Sequence, residues 1–324
     1  MDNGFGDNGT VVTSIDQLDK GHSITVQSDD KILVTAFHQN ISGMLALLRY
    51  NLDGTLDDSF DGDGIVTIPF TVSAQSTSTE NHSIVLQDDG EILVAGDSQG
   101  TTTIDFTLFR FNSNGSLDTD FDADGKVQVN FGPFISSTMT SILLQTDGKI
   151  VLGGDASFPG NNDFALVRLF PNGSLDNNFD SDGKVSIPVG ELNNRAYGMP
   201  LQNDGKIILS GSALGNIIND FALIRIRSNG NLDLDFGTNG KVITPFDTHG
   251  NQLKDIRIQP DGTIVATGNS FGALNGGYAY NFAIVKYLSN GSLDNDFGVG
   301  GKVLTNIEGN NDNDFSKCDF IAGG

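Results

Sequence analysis

Aspartates in a tight, glycine-closed loop are the residues of this sequence best placed to do chemistry. Asp120-Phe121-Asp122-Ala123-Asp124-Gly125 sets alternate carboxylates before a glycine, the spacing with which a loop turns several oxygens toward one hard cation such as calcium. The acid that closes an EF-hand is missing, because the twelfth position falls on Phe131. Two copies elsewhere keep two acids each: Asp61 and Asp63 before Gly64, and Asp180 and Asp182 before Gly183. The matching Gly237-Thr238-Asn239 and Gly298-Val299-Gly300 keep none. These seven aspartates are candidate calcium ligands on a turn whose Gly and Phe are the constant part. No cofactor is otherwise required.

A second constellation pairs opposite charges. Arg49, Arg110, Arg168, Arg225 and Lys286 are each followed eight residues later by Asp57, Asp118, Asp176, Asp233 or Asp294. A constant offset predicts one charge-assisted pair per unit, bidentate where the base is Arg. Because every unit has it, the pair is expected to serve the unit's structure, whereas a catalytic site is built once.

Enzymatic chemistry is thinly represented. The histidines His22, His38, His82 and His249 lack the close spacing of a helical zinc site, and the sole cysteine, Cys318, lies in the tail. Four glutamates, Glu80, Glu91, Glu191 and Glu308, and many aspartates leave room for paired carboxylates of the glycosidase kind. Trp, the commonest sugar-stacking side chain, is absent.

The elements that position these residues repeat. Ile32, Ile92, Ile150, Ile207 and Ile264 mark five copies of one pattern, in which an apolar strand ends in Gln, crosses an acidic turn and restarts. A period near sixty residues signals a radial or stacked array, because one such unit cannot bury its apolar faces alone. In the third copy, residues 141–145 read as a strand, Asp147-Gly148 as a type I′ turn, residues 149–154 and 163–168 as further strands, Asn172-Gly173 as a turn, and residues 184–187 as the outer strand. The prediction is an all-β fold, a β-propeller of four-stranded antiparallel blades, five in number or an incomplete six; a parallel β-helix is the rival.

One propeller is expected over residues 1–309, with a leading outer strand at 9–14 and repeats near 22–67, 82–128, 140–187, 198–244 and 255–306. The leader Phe5-Gly6-Asp7-Asn8-Gly9-Thr10-Val11-Val12 copies the end of a blade, as in Phe236-Gly237-Thr238-Asn239-Gly240-Lys241-Val242. Residues 310–324 form a tail in which Cys318 to Gly324 echoes the second strand of a further blade.

Composition narrows the partners. A net charge of −23 with only 18 basic residues scattered along 324 argues against nucleic acid and anionic membrane. No apolar run approaches the ~18 to 20 residues that span a bilayer. The opening Met1-Asp2-Asn3-Gly4-Phe5 has neither the basic nor the apolar region of a signal peptide, so export is not encoded in that stretch.

The strings Gln-x-Asp-Gly-Lys-Ile-Leu-Val-x-Gly, Asp-Phe-x-Leu-x-Arg and Asn-Gly-Ser-Leu-Asp-x-x-Phe-x-x-x-Gly-Lys-Val resemble the delta-60 repeat, a bacterial β-propeller-like repeat of long surface proteins. The resemblance covers residues 3 to 306. It implies a propeller in a secreted or surface-attached protein, hence an extracellular or cell-surface location, and it transfers no catalytic assignment. The first repeat departs from the pattern, with Asp29-Asp30 for Asp-Gly and Met44-Leu45 for Asp-Phe.

In a four-stranded up-and-down blade the second and fourth connections share one face. Here they vary: residues 36–43, 97–104, 155–162, 212–219 and 269–280, with 68–82, 129–140, 187–197 and 244–254. That face is the candidate for recognition, and Phe158, Tyr197, Phe271, Tyr278 and Tyr280 are its candidate ligand-binding aromatics. The reading is a non-catalytic extracellular or surface-associated binding or scaffold module for a glycan or protein ligand. Its alternatives are a glycan-processing enzyme with central paired carboxylates and a structural spacer of a larger surface protein or viral appendage.

Overall fold

The computed structural model describes residues 3–15, 19–38, 44–69, 83–214, 218–246, 250–274 and 277–306. They form twenty strands in five four-stranded antiparallel sheets, with no helix among the described residues. The first sheet holds β1 (Asp19–Val26), β2 (Ile32–His38), β3 (Met44–Tyr50) and β4 (Ile65–Pro69); the second holds β5 (Ser83–Leu86), β6 (Ile92–Gln99), β7 (Ile104–Phe111) and β8 (Lys126–Val129). The third holds β9 (Ser136–Leu144), β10 (Ile150–Phe158), β11 (Asn161–Leu169) and β12 (Lys184–Ile187). The fourth holds β13 (Leu192–Gly198), β14 (Ile207–Leu214), β15 (Asn219–Ile226) and β16 (Lys241–Thr244), and the fifth β17 (Gly250–Ile258), β18 (Ile264–Leu274), β19 (Gly277–Tyr287) and β20 (Lys302–Thr305). Strand order within each sheet follows chain order, which is the up-and-down blade of a β-propeller.

The second and third strands of a sheet are buried along almost their whole length, as in β14 and β15. A strand covered on both faces needs apolar side chains on both, which explains Ile-Ile-Leu and Phe-Ala-Leu-Ile where a half-exposed strand would alternate. The chain divides into two compact units, residues 1–152 with 169–175, and residues 153–168 with 176–324. In the first, Leu33, Leu45, Phe60, Ile92, Val94 and Phe111 form one core. In the second, Ile208, Phe221, Phe236, Leu253, Ile264 and Tyr287 do the same. First strands of successive sheets touch one another, β1 with β5, β5 with β9 and β13 with β17.

Three sequence expectations change here. The Asp-Gly turn is not type I′: Gly148 N–H donates to Gln145 O and Gln145 N–H to Lys149 O, and of the turn residues only Gly148 has a positive φ, 78°. That is a type I turn closed by a left-handed glycine bulge, further held by Asp147 Oδ1, which accepts from Lys149 N–H. The second connections are hairpins more than loops. Residues 269–280 lie largely in β18 and β19, paired from Ile264↔Tyr287 to Leu274↔Gly277, because Ser-Phe-Gly-Ala-Leu and Tyr-Ala-Tyr-Asn-Phe continue the strand alternation. Residues 9–14 carry no strand; Asp7 and Thr10 form an isolated bridge, and Gly9 with φ 84° turns the chain between them. Residues 307–324, with Cys318 and the tail, lie outside the described residues, as do His82 and His249.

Candidate functional site

First strands carry a bulge at a matching place. Register shifts fall between Gly21 and Ser23 in β1, between Ala196 and Gly198 in β13, and between Leu253 and Asp255 in β17. The extra residues are His22, Tyr197 and Lys254. A bulge re-aims its extra side chain, and glycine makes room for the two in the second unit. A Cβ on Gly211 would lie 1.8 Å from Arg195 O, and one on Gly268 would lie 2.0 Å from Gln252 O. Gly211 and Gly268 thus let the first strands β13 and β17 settle close to their neighbours at the bulges.

Tyr197 lines a cavity of about 410 Å³ with Asn162, Arg195, Ser212, Leu214, Asn219 and Gln252. These side chains come from β11, β13, β14, β15 and β17, at the end of the sheets where second strands turn into third. A phenol, a guanidinium, three carboxamides and a hydroxyl therefore converge on one depression. Arg195 hydrogen-bonds the Tyr197 side chain, yet burial is the larger influence and holds the phenol above its ordinary pKa. The Lys254 ammonium stands 5.3 Å from the Tyr197 ring centroid, within cation–π range.

Near this cavity lies Asp155, 5% exposed. Burial pushes its carboxyl up to about 7, against the Ala196 N–H bond and the Arg195 charge, which both favour the ionised form. Asp155 sits five residues after a landmark isoleucine, and its repeat-mates do the same job. Met139 N–H donates to Asp97 Oδ1 at 2.5 Å, Ala196 N–H to Asp155 Oδ1 at 3.4 Å, and Leu253 N–H to Ser212 Oγ at 3.2 Å. A second latch binds first strands to the preceding sheet: Asn194 Nδ2 donates to Asn162 O at 2.5 Å and Asn251 Nδ2 to Asn219 O at 3.2 Å. Neither latch was read from the sequence, although polar residues recurring inside apolar strands at one repeat position were the available signal.

Of the five candidate aromatics, Tyr197 lines the cavity. Phe271 and Tyr280 face each other across β18 and β19, ring centroids 4.8 Å apart, and Phe158 ends β10, half-buried. Tyr278 has a described backbone position opposite Ala273, while its side chain lies outside the described residues.

The Arg–Asp pairs close at short range. Arg49 Nε meets Asp57 at 2.7 Å, Arg110 Nε meets Asp118 at 2.6 Å, Arg168 Nε meets Asp176 at 2.9 Å, Arg225 Nε meets Asp233 at 2.8 Å, and Lys286 Nζ meets Asp294 at 3.1 Å. Each arginine also lies over the Phe that follows, 4.3 Å from the centroid for Arg168 on Phe179. Its Nη1 reaches the next repeat's turn, as Arg168 does to Ser228 O at 2.5 Å and Arg225 to Ser289 O at 2.6 Å. The acidic turns gather no group of three or more metal-ligating side chains among the described residues. Asp63, Asp124 and Asp182 instead accept from backbone N–H groups two residues on, which is turn chemistry. Asp122 is held above the ordinary carboxylate range by burial and by the neighbouring Asp124 charge, and Asp180 likewise by burial and Asp182.

Two Gly-x-Ser-x-Gly strings occur in the chain, at residues 96–100 and 268–272. Both serines lie within strands, Ser98 1% and Ser270 0% exposed. Ser98 Oγ is 2.6 Å from Thr107 Oγ1. A nucleophile elbow needs a strand-to-helix turn that exposes its serine, so neither string is one.

Repeated four-stranded blades latched edge to edge define a β-propeller repeat protein. The chain belongs to the family described as domain of unknown function (DUF5122) beta-propeller, which matches residues 27–60, 87–121, 145–179, 202–236 and 259–297, more than half of the sequence. These five matches are the delta-60 type repeats. No curated protein matches the sequence. Among solved structures the chain is similar to a polysaccharide lyase, an ulvan lyase of family PL25 bound to a glucuronate–rhamnose-3-sulfate unit, at 12% identity and TM-score 0.48, covering 81% of this chain and 64% of that one. The chain thus spans just under two thirds of that lyase. It is also similar to an endo-arabinase from Bacteroides thetaiotaomicron, at 14% identity and TM-score 0.37, covering 72% and 82%. At these values the likeness bears on the fold alone. The expectation of a non-catalytic binding or scaffold module, and of no enzyme, is corrected at this point. Solved propellers similar to this chain include polysaccharide lyases and endo-arabinanases, so the propeller repeat gives no ground for excluding catalysis.

Proposed function

We propose that this chain processes glycans in the Tyr197 cavity. The supporting observation is the convergence of Arg195, Tyr197, Asn162, Asn219, Gln252 and Ser212 on one open depression, close to the buried acid Asp155. A polyhydroxylated substrate needs many donors and acceptors at close quarters, which carboxamides and hydroxyls supply. Arg195 is the group to hold a sugar carboxylate or a vicinal pair of hydroxyls in its planar fork. Tyr197, protonated at neutral pH and touching substrate, gives its phenolic proton to the departing glycosidic oxygen. In hydrolysis water adds at the anomeric carbon and its released proton restores the phenol; in elimination on a uronate the C5 proton passes to solvent as the C4–C5 double bond forms. Asp155 is a positioning residue: through Ala196 N–H it fixes the bulge that aims Tyr197. The paired carboxylates expected of a glycosidase are replaced in this reading by a phenol, a guanidinium and one buried acid.

The test is incubation of the full chain with a panel of neutral and uronate-bearing polysaccharides, following reducing ends and the ultraviolet absorbance of unsaturated ends. Reducing ends alone would indicate hydrolysis, and both signals elimination. Tyr197→Phe is expected to lower turnover roughly a hundredfold without altering the thermal midpoint. Failure of every polymer to be cut, or equal turnover by the variant, would overturn the reading.

A further inference from the structure

Arginine in this chain is almost everywhere half of an ion pair. Of the seven arginines, Arg49, Arg110, Arg168, Arg225, Arg227 and Arg257 each meet an aspartate at 3.0 Å or closer. Arg195 is the exception: among the described residues no carboxylate oxygen lies within 4.0 Å of its guanidinium. It stands exposed in the wall of the Tyr197 cavity. It is no loose surface arm either, since it hydrogen-bonds the Tyr197 side chain from a backbone position paired with Ser212. The Lys254 ammonium lies 5.3 Å from the centroid of the same ring, so two positive charges flank one phenol.

Acids outnumber bases 41 to 18 in this sequence, so an arginine goes unneutralised only where the acids around it are turned to other partners. That is the case here. Asp163 follows Asn162 of the cavity wall, and it accepts from Asn161 Nδ2 at 2.8 Å and from Ser186 Oγ at 3.1 Å. Asp220 follows Asn219 of the wall and accepts from Asn251 Nδ2 at 3.0 Å. Asp155 feels the Arg195 charge, but it is bonded to Ala196 N–H at 3.4 Å, and burial pushes its carboxyl up so that it brings less than a full negative charge at neutral pH. Among the described residues lining the cavity none is acidic.

We infer, resting on the glycan reading of this cavity, that its ligand is a polysaccharide bearing uronate residues, and that Arg195 selects it by closing on a sugar carboxylate. A planar guanidinium meets both oxygens of a carboxylate at once, so the ligand completes for Arg195 the pairing that the other six arginines find inside the chain. A neutral sugar gains only hydrogen bonds from the same fork. The net charge of −23 opposes an acidic polymer at a distance, but such repulsion is screened beyond about 8 Å at physiological ionic strength, and the charges in contact decide. A sulfate ester carries the same sign of charge on a tetrahedral group and is the competing ligand.

Binding of the full chain to immobilised polygalacturonate, alginate and glucuronan, each beside its carboxyl-reduced form, tests this. At least one acid polymer should bind about tenfold or more tighter than its reduced partner. Arg195→Gln should weaken that binding about ten- to a hundredfold at an unchanged thermal midpoint, while Tyr197→Phe should still bind. Equal affinity for acid and reduced forms, undiminished binding by Arg195→Gln, or binding only of a sulfated neutral galactan would overturn the inference. If Arg195→Gln does not fold, the paired polymers decide on the parent chain alone. Cleavage assays on the same polymers keep the two readings apart. Cutting of neutral polymers with no preference for the acid would sink the uronate ligand and leave glycan processing standing. Arg195-dependent binding of an acid polymer that is never cut would do the reverse, and neither binding nor cutting would remove both.

Discussion

Lys254 stands over the ring of Tyr197, its ammonium 5.3 Å from the centroid, and the two are the extra residues of matching bulges in successive sheets. One cation above the ring and the Arg195 guanidinium beside the hydroxyl both favour the phenolate, while burial favours the phenol. Burial is the larger influence, so the hydroxyl keeps its proton beyond the ordinary tyrosine range. Ultraviolet titration of the full chain minus Tyr197→Phe should therefore show a tyrosine ionising above the usual ~10. Lys254→Gln should move that step further up. A step below the usual value would mean that the cations dominate, and would remove Tyr197 as a proton donor.

Asp155 makes the fold pH-sensitive. Its folded pKa, about 7, is raised by burial above the unfolded value, so between the two the native state binds the extra proton. Stability is then fully present below pH 4, falls as pH rises toward 7, and is flat beyond. The slope is at most about 1.4 kcal/mol per pH unit, with a ceiling near 4 kcal/mol. Urea unfolding at pH 5 and pH 8 should show the acid side more stable, and Asp155→Asn should erase most of the difference. An unchanged pH dependence in the variant would assign it elsewhere.

How much of this was legible follows from what repeats. The five sheets were readable because Ile32, Ile92, Ile150, Ile207 and Ile264 and the turns after them recur, and because Phe-Ala-Leu strings announce strands covered on both faces. The eight-residue Arg–Asp offset placed each pair, but that Arg168 also crosses to Ser228 required knowing which turn follows it in space. The cavity is half-legible: Tyr197 stands out in the sequence as an aromatic on a variable segment. Arg195 and Tyr197 lie on β13, whose irregular pairing opposite Gly211 sets how they stand, while Asn162 and Asn219 come from other strands, and nothing in the sequence brings the four together. Asp155 looked like one more acid in an acidic chain, since only its depth separates it from Asp147.

The arginine latch predicts an asymmetry between conservative changes. Arg168→Lys keeps a charge beside Asp176 but loses the bond to Ser228 O and the stack on Phe179, and should destabilise by about 2 kcal/mol. The reverse change at Lys286 has no following turn carbonyl to reach among the described residues, so Lys286→Arg should stay within about 0.5 kcal/mol of the parent. Denaturant midpoints at unchanged slope measure both. Equal effects at the two positions would show that the Asp contact, and not the crossing bond, carries the latch.

Backbone strain in the acidic turns gives a stabilising prediction. The residue after Asp61, Asp122 and Asp180 is left-handed in all three repeats, Gly62 at φ 94°, Ala123 at 69° and Ser181 at 71°. A side chain there costs about 1–2 kcal/mol, while glycine gives back about 0.5–1 kcal/mol in unfolded-chain entropy. Ala123→Gly and Ser181→Gly should each add about 0.5 kcal/mol, nearly additively because the two turns share no hydrogen-bond partner. Space is not the issue, since a Cβ on Gly62 would meet nothing within 4 Å. Gly62→Ala should therefore lose a similar amount through φ alone. If the double glycine variant melted no higher than the parent, the turns would owe their shape to Phe121 and Phe179 locking the loop, with the left-handed residues carrying little strain.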